Sequence, residues 1–231
     1  MNPFDLLEKK RKHVRLYKKD IIPPKWQIEK ALYKAWKTTP SKNNAMAYNV
    51  FVYGPDKQEM KDTTHHLCHQ NHIRAEIRAK NEGKQESTQK GKLNPDYEHI
   101  RNAPYLFGIH SRLLEKMNPY YERQILQGHF ADQKFPDRVN SIVDSVAVEV
   151  GLFIQNLTTY LLEFEIDVSY TSCFYRDPKE WSNRGMEHIK WRPITLMTAG
   201  YGEIYRRDVL KQQKRDHEDY KPDIDDVIKW I

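Results

Sequence analysis

Cysteine, glycine and long apolar stretches are all scarce in this sequence of 231 residues. Its two cysteines, Cys68 and Cys173, are too few for a disulfide framework and favour a reducing compartment. The longest uncharged runs, 43–55 and 150–162, fall short of the roughly 20 apolar residues that a membrane-spanning helix requires. The N-terminus turns basic without the apolar segment of a secretory signal. We therefore expect a soluble protein of the cytoplasm, with no membrane partner.

Aromatic residues make up 12% of the chain, which is enough to fill a core and excludes disorder as the dominant state. The sequence carries 38 Lys+Arg against 32 Asp+Glu, a formal net charge of +6. Such an excess suits a nucleic-acid-binding protein, and it equally suits a protein that holds an anionic ligand. Net charge alone does not decide between these classes.

Segments of strand and helix character alternate along the chain, and neither an internal repeat nor a shift in composition marks a linker. Alternating and β-branched residues predict strands over 48–53, 105–110, 166–174 and 194–198. Helical spacing predicts a helix after Pro24 with Ile28, Leu32 and Trp36 on one face. One domain over residues 1–231, of α/β or α+β class, is the simplest interpretation. It carries polar excursions at about 74–101 and 111–140.

The strongest helical pattern covers residues 143–162. One face carries apolar residues at helical spacing: Val143, Ala147, Val150, Ile154, Leu157 and Leu161. Val146 and Phe153 widen this face, which predicts burial on more than one side, in a core or in a subunit interface.

A basic run from Lys9 to Arg15 is the first candidate site. Arg11 and Arg15 are four residues apart, so in a helix they share a face and can bind one ligand together. Guanidinium groups bind phosphate in a bidentate manner and stay charged, which suits a permanent anionic ligand. The same run also fits a solvated basic face or a nucleic-acid-binding arm.

A loop over 40–48 is the second candidate site. Ser41, Asn43 and Asn44 offer hydroxyl and amide groups for a phosphate or the edge of a heterocycle, and Met46 offers an apolar contact. Ser and Asn are also ordinary turn residues, so the loop equally fits a capped turn.

A histidine-rich segment is the third candidate, formed by His65, His66, Cys68, His69 and His72. In a helix, three of these histidines line one face, but Cys68 points elsewhere. Structural zinc sites require four protein ligands. We therefore expect a solvated or partner-contacting helix here and no metal site.

Five segments in order resemble the nitroreductase family, the FMN-dependent NAD(P)H oxidoreductases. Residues 11–17 (RKHVRLY) resemble the family's Arg-Arg-Ser-Val-Arg-x-Phe, and residues 40–48 (PSKNNAMAY) resemble its Pro-Ser-x-x-Asn-x-Gln-Pro-Trp. Residues 103–107 (APYLF) are similar to its Ala-Pro-x-x-(Ile/Val) strand. Residues 146–162 are similar to its long central helix, and residues 199–201 (AGY) to its Leu-Gly-Tyr-Pro. The matches keep the family's order across residues 11–202.

The resemblance implies a three-layer α/β sandwich of α+β class, with a central mixed or antiparallel sheet flanked by helices. It implies a domain-exchanged homodimer with two FMN sites at the subunit interface. Arg11 is then expected to hold the phosphate and Arg15 to face the pyrimidine edge of the flavin, where a cation stabilises the reduced form. Ser41 and Asn44 are expected to reach the FMN from the partner subunit. The other expected cofactor contacts are Lys12, His13, Asn43, Met46, Thr171, Ser172, Cys173 and Lys221.

Several positions depart from the family pattern. His13 stands where a serine is usual, and Met46 replaces the family's glutamine. Family members often present a backbone N–H to flavin N5, and the matching stretch here is 170–173 in place of a Glu-Gly pair. Cys173 itself is expected to be a small buried residue rather than a redox thiol. The family's C-terminal basic pair is matched by Lys221, or else by Arg206, Arg207 or Arg215.

The resemblance implies that NAD(P)H reduces bound FMN, which then reduces an electron-poor acceptor such as a nitroaromatic or a quinone by a ping-pong mechanism. No catalytic side chain is required, and Arg15 tunes the flavin. The alternatives are a relative that uses reduced flavin for dehalogenation or flavin breakdown, and a basic nucleic-acid-binding protein on a flavin fold. The aromatics of the second excursion are expected to form either a lid that selects the acceptor or a core plug: Tyr120, Tyr121, Phe130 and Phe135.

Overall fold

Helices and strands alternate along the chain as expected. The computed structural model describes residues 10–41, 46–81, 98–111, 135–190, 192–212 and 222–228, together with residues 5, 7 and 214. The strands are β1 (Val14–Tyr17), β2 (Tyr48–Tyr53), β3 (Tyr105–Ser111), β4 (Asp167–Thr171), β5 (Pro193–Gly200) and β6 (Gly202–Tyr205). The helices are α1 (Lys25–Thr38), α2 (Gln58–Asn81), α3 (Glu98–Asn102), α4 (Phe135–Glu163), α5 (Pro178–Ser182), α6 (Arg206–Gln212) and α7 (Ile224–Val227).

Four strands form the central sheet in the order β2-β3-β5-β4, and every neighbouring pair is antiparallel. The strands predicted over 48–53 and 105–110 are confirmed. The strand predicted over 166–174 is shorter and ends at Thr171, and the one predicted over 194–198 extends from Pro193 to Gly200. A separate antiparallel pair, β1 with β6, was not predicted.

Helices cover both faces of the central sheet. Side chains alternate along the strands, and both faces carry apolar residues that the helices bury. On β3, Tyr105, Phe107 and Ile109 pack with α1 and α4 in one hydrophobic cluster. Leu106, between them, belongs to a second cluster with α2, α3 and the segment 174–189. The two clusters therefore lie on opposite faces of the sheet, and the predicted three-layer α/β fold is confirmed.

The buried face of α1 differs from the predicted one. Ile28 is buried as expected, but its buried neighbours are Ala31 and Ala35, and Trp36 is 55% exposed. These small alanines face the cluster that α1 shares with α4. The large apolar side chain of Trp36 favoured its prediction on the buried face. A close approach of two helices instead favours small side chains on that face.

The long helix α4 is confirmed, and it begins before the predicted start at 143. Its buried face carries Val146, Val150, Phe153, Leu157 and Leu161. The prediction placed Ala147 on this face, but its side chain is exposed. The side chains of Val143 and Phe135 lie outside the described residues, as do the excursion residues Tyr120, Tyr121 and Phe130.

In the part of the chain that the structure describes, every helix is too short or too polar to cross a membrane.

The pair formed by β1 and β6 rests against the edge of the central sheet. Val14 and Tyr17 of β1 are fully buried. The Tyr17 hydroxyl lies 2.8 Å from Thr198 Oγ1 on β5. A Cβ atom at Gly200 would lie 2.8 Å from Tyr17 Cδ1 and 2.6 Å from Pro104 Cδ. Glycine is therefore required at position 200, because β1 approaches the end of β5 too closely for a side chain.

The C-terminal end of α4 is closed by a residue in the left-handed region, Glu165, with φ of 61°. The Ile166 N–H donates to the Leu161 carbonyl at 3.0 Å, and the Glu165 N–H donates to the Leu162 carbonyl at 3.0 Å. This is the Schellman pattern, which favours glycine at the left-handed position.

We expect Glu165→Gly to raise the free energy of unfolding by about 0.5–1 kcal/mol. Glycine removes a left-handed penalty of about 1–2 kcal/mol, which outweighs the roughly 0.5–1 kcal/mol of additional entropy that glycine loses on folding. The ion pair that it removes, Lys10 Nζ to Glu165 Oε1 at 3.0 Å, is solvent-exposed and contributes little. Urea unfolding measures the change. Glu163→Gly, at a helical position, is the matched control and should lower the stability; a drop for Glu165→Gly as well would contradict the prediction.

Candidate functional site

The N-terminal basic run lies beside the start of β4. His13 forms an isolated bridge with Val168, and its Nε2 lies 2.9 Å from Ser169 Oγ. The His13 carbonyl accepts a hydrogen bond from the Arg206 N–H at 2.8 Å. The first residues of β1, α6 and β4 therefore meet at His13.

Arg11 and Arg15 do not share a helical face, because Arg15 lies on strand β1. Pairing with β6 and complete burial of Val14 and Tyr17 stabilise the extended conformation. Register irregularities along this pair allow both apolar residues to be buried although they are three residues apart.

Positive charge surrounds the His13 imidazole. Burial, and after it the charges of Arg15, Arg206 and Arg11, together lower the pKa of His13 from 6.5 to about 3. The ring is therefore neutral at physiological pH, and the charges of three guanidinium groups act on it. Guanidinium groups gathered around a neutral ring are suited to an anionic ligand, which would offset their mutual repulsion.

Aromatic rings support the basic side chains of this cluster. The guanidinium carbon of Arg11 lies 5.7 Å from the ring centroid of Tyr170, and Lys12 Nζ lies 5.0 Å from that of Tyr205. Tyr170 is held in turn by a short hydrogen bond between its hydroxyl and Thr158 Oγ1. Cation–π contacts of this kind restrict long side chains without neutralising them, so their charge stays available.

The segment 171–173 begins at Thr171, the last residue of β4, the strand that carries Ser169. The Cys173 N–H donates to Thr171 Oγ1 at 3.3 Å. Ser172 and Cys173 are exposed, so the expectation of a buried Cys173 is wrong. The strand ends before Cys173, which leaves its thiol outside the sheet.

Ser41 and Met46 lie against α4. Ser41 Oγ donates to Glu149 Oε2 at 2.7 Å and accepts from the Met46 N–H at 2.9 Å. Asn156 of α4 donates to Thr39 Oγ1 at 3.1 Å, just before this loop. The central helix thus fixes the N-terminal end of the second candidate segment, and Ser41 connects Met46 to that end. Asn43, Asn44 and Lys221 lie outside the described residues.

Arg206 is the candidate residue that the sequence offered only as one alternative to Lys221. It begins α6 directly after β6, and its backbone bond to His13 holds it beside Arg11 and Arg15. Finding it from the sequence requires knowing that β6 pairs with β1, which are separated by almost the whole chain. Arg207, the next residue, is exposed.

The histidine-rich segment lies on α2, as the helical interpretation predicted. His65 is buried, with its Nε2 at 3.5 Å from Glu98 Oε1, whereas His66 is exposed. The side chain of His72 lies outside the described residues. Within those residues, no group of three or more His, Cys, Asp or Glu side chains is placed to hold a metal ion.

The neutral state of His13 has a measurable consequence for stability. The unfolded chain takes up a proton at this residue below about pH 6.5, which the folded protein resists down to about pH 3. The free energy of unfolding should therefore fall as the pH is lowered through this window. Between about pH 6 and pH 4, we expect the free energy of unfolding to fall more steeply in the wild type than in His13→Asn. The expected difference in slope is about 1.4 kcal/mol per pH unit.

Urea unfolding at several pH values measures both slopes. Other histidines contribute equally to both proteins, so the difference isolates position 13. Equal slopes would show that His13 titrates alike in the folded and unfolded chains.

No protein-family model and no curated protein matches this sequence. Solved structures do match it. A protein from Staphylococcus epidermidis named as an NAD(P)H:FMN oxidoreductase is 15% identical over 100% of this chain and 97% of its own, with a TM-score of 0.66. A protein from Exiguobacterium sibiricum named as a nitroreductase, in complex with FMN, is 15% identical over 100% and 98%, with a TM-score of 0.65. Iodotyrosine deiodinase bound to FMN and 3-iodo-L-tyrosine is 20% identical over 88% and 91%, with a TM-score of 0.55.

These similarities establish the fold of the chain, which is that of nitroreductase family proteins and NAD(P)H:FMN oxidoreductases. The predicted fold class and the resemblance read from the five sequence segments are confirmed at this level.

Proposed function

We propose that this protein is an FMN-dependent oxidoreductase that takes electrons from NAD(P)H and passes them to an electron-poor small molecule by a ping-pong mechanism. The observation that carries the proposal is the group of Arg11, Arg15 and Arg206 around the neutral His13. The fold supports it, because similar structures are named as FMN oxidoreductases and one is an FMN complex.

The residues present fit FMN. A phosphate requires cationic donors. The Arg11 guanidinium lies against the Tyr170 ring, and the His13 carbonyl fixes the backbone from which the Arg206 side chain extends. Arg15 lies on the rigid strand β1 and would place its charge at the pyrimidine edge of the isoalloxazine. Bound FMN would supply hydride and electron transfer, which this chain's side chains need not perform.

We also propose that the protein acts as a homodimer. On α4, Val148 is 66% exposed and Leu152 is 43% exposed, next to exposed Ala147 and Gly151. A Cβ atom at Gly151 would meet nothing within 4 Å, so this stripe is open. An apolar stripe with a central glycine suits close packing against the same helix of a second copy, and a two-fold interface is formed by one such surface on each subunit.

A dimer through α4 would also bring Ser41 and the loop around it to the partner subunit's cofactor, because this loop is attached to the same helix by Glu149 and Asn156.

A second candidate function is dehalogenation, in which reduced flavin removes halogen from an aromatic substrate. The likeness to iodotyrosine deiodinase favours this candidate.

The test is reconstitution with FMN followed by anaerobic reduction. The protein should retain FMN through gel filtration, and the flavin absorbance band should bleach on mixing with NADH or NADPH. Adding a quinone or a nitroaromatic should restore the band, whereas recovery only with an iodinated phenol would favour dehalogenation. Failure to retain FMN, combined with DNA binding that weakens steeply with salt, would favour a nucleic-acid-binding protein instead.

A further inference from the structure

Three aromatic side chains of helix α1 stand in solvent, outside the candidate site. Trp26, Tyr33 and Trp36 are each between 55% and 57% exposed. Their spacings of seven and three residues place them on one face of the helix, opposite the face that buries Ala31 and Ala35. The rings of Tyr33 and Trp36 lie 5.8 Å apart between centroids. We call these three residues the aromatic stripe.

Further apolar side chains lie at the N-terminal end of the aromatic stripe. The Trp26 ring packs edge-on against the half-buried Phe164, with 5.6 Å between the ring centroids. Two isoleucines that lead into the helix, Ile21 and Ile22, are about half exposed. Proteins rarely leave several large apolar side chains together in water, so a group of this size indicates an interaction surface.

Exposed lysines lie beside the aromatic stripe. The segment 18–38 contains six lysines and two acidic residues, and this net charge of +4 is most of the +6 that the whole chain carries. Lys30 and Lys37 are exposed on the same half of α1 as the stripe, and Lys18 and Lys19 are exposed shortly before the helix. The apolar surface is therefore surrounded by positive charge.

Acidic side chains close to the stripe are paired with other lysines. Lys25 Nζ lies 3.3 Å from Glu29 Oε1, and Lys34 Nζ lies 3.2 Å from Glu163 Oε2. These pairs reduce the repulsion that the two carboxylates would exert on an anionic partner. The charge that this surface presents to a partner is therefore positive.

We propose that this surface binds an anionic phospholipid bilayer, with the aromatic stripe in the headgroup region and the lysines against the lipid phosphates. Tryptophan and tyrosine are enriched at membrane–water interfaces, because each joins an apolar ring to a polar group. Helices that carry such rings together with lysines lie in the plane of the interface. Each lysine near an anionic bilayer adds electrostatic attraction to the apolar contact.

The charge and the isoleucines favour a bilayer over two other occupants. A two-fold contact of this surface with a second copy would place lysines against lysines, which is unfavourable. Single-stranded nucleic acid would stack on the rings and contact the lysines, but it offers no apolar partner to Ile21 and Ile22. Lipid supplies both the negative charge and the apolar contact.

A contact of this kind is peripheral and needs no membrane-spanning helix. It revises the expectation that the protein has no membrane partner. The proposal goes beyond the proposed oxidoreductase activity and does not depend on bound FMN. Its failure is therefore distinguishable from failure of the proposed function.

The test is co-sedimentation of the purified protein with phospholipid vesicles. We expect binding to vesicles of two parts phosphatidylcholine to one part phosphatidylserine, and binding at least about tenfold weaker to phosphatidylcholine alone. Phosphatidylcholine brominated on its acyl chains, mixed into the anionic vesicles, should quench the tryptophan fluorescence of the bound protein. Failure to sediment with the anionic vesicles, or equal binding to both kinds, would overturn the proposal.

The double variant Tyr33→Ser, Trp36→Ser tests the aromatic stripe. We expect its affinity for the anionic vesicles to fall roughly 10- to 100-fold, because two rings no longer leave water on binding. The control Ile73→Ser, Ile77→Ser removes two exposed apolar side chains from α2, which packs on the opposite face of the sheet, and should bind as the wild type does. Unchanged vesicle binding by the first variant would overturn the proposal. So would its conversion to a monomer from a dimeric wild type, because the stripe would then belong to the subunit interface.

The double variant Lys30→Gln, Lys37→Gln tests the charge beside the stripe. We expect its affinity for the anionic vesicles to fall roughly 10- to 30-fold at low salt. The matched control Lys179→Gln, Lys190→Gln makes the same change in net charge at two other exposed positions and should bind nearly as the wild type does. Equal losses in both double variants would show that net charge alone drives binding, and would overturn the surface. A single-stranded oligonucleotide that displaces the wild type from the vesicles would assign the surface to nucleic acid and would also overturn the proposal.

Discussion

Arg11→Ala should weaken FMN binding roughly 10- to 100-fold while the bound flavin is still reduced by NAD(P)H at nearly the wild-type rate. Arg15→Ala should do the reverse: FMN binding weakens less than about tenfold, and flavin reduction slows roughly 100-fold. Equilibrium titration with FMN measures the first quantity, and anaerobic stopped-flow reduction at saturating FMN measures the second.

The contrast follows from where each charge acts. A hydrogen bond to a charged group contributes about 1.5–3 kcal/mol, and each 1.4 kcal/mol changes an equilibrium constant tenfold. A phosphate keeps its charge throughout the reaction, so its contact with Arg11 stabilises every bound state equally. Negative charge on the isoalloxazine develops only during reduction, so Arg15 stabilises the transition state more than the starting complex.

Adjacent arginines on α6 supply the control for this experiment. Arg206→Ala should weaken FMN binding as Arg11→Ala does, because Arg206 is bonded to the His13 carbonyl and its charge acts on the His13 ring. Arg207→Ala should leave FMN binding unchanged, because the charges that act on the His13 ring are those of Arg15, Arg206 and Arg11. Equal effects of Arg11→Ala and Arg15→Ala on binding and on reduction would show that the two roles are assigned wrongly.

The central sheet and the long helix were predictable because their residues are apolar in a regular pattern. β2 and β3 are bounded by Gly54–Pro55 and Ala103–Pro104 and are rich in β-branched and aromatic residues. Helix α4 repeats its apolar residues over five turns or more. Patterns of this length outweigh local exceptions, and the three layers follow from them.

The small sheet of β1 and β6 was not predictable in the same way. Each strand has four residues, β1 carries a charged residue at its centre, and the two are joined only by long-range pairing. The candidate site depends on this pairing, because it brings Arg206 to His13. The sequence therefore indicated which N-terminal residues to examine, but it did not identify the residue that completes the cluster.

The faces of α1 and α4 show a second limit. Sequence patterns rank side chains by apolar size, and this ranking placed Trp36 inside and gave no reason to expose Val148. The structure buries Ala35 and leaves Trp36 and Val148 in solvent. Which apolar residues face a neighbouring helix and which remain open depends on the distance between helices, and that distance is set by the whole fold.

The double variant Val148→Asp, Leu152→Asp should be a monomer at micromolar concentration, where we expect the wild type to be a dimer. Burying each of these side chains contributes about 1.5–3 kcal/mol, and a two-fold interface contains every contact twice. Placing two carboxylates on each subunit at the same surface adds like-charge repulsion. We therefore expect dimerisation to weaken by a factor of roughly 1,000 or more. Light scattering after gel filtration measures the oligomeric state.

The monomeric variant should also lose FMN although its arginine cluster is intact, because the proposed site includes the loop at Ser41 from the partner subunit. The control is Ile77→Asp, which introduces one carboxylate at a 55% exposed isoleucine on α2, the helix that packs on the opposite face of the sheet from α4. It should remain dimeric and retain FMN. Urea unfolding of both variants excludes a general loss of structure. A wild-type monomer that binds FMN would contradict the dimer, whereas a dimeric double variant would place the interface on another surface.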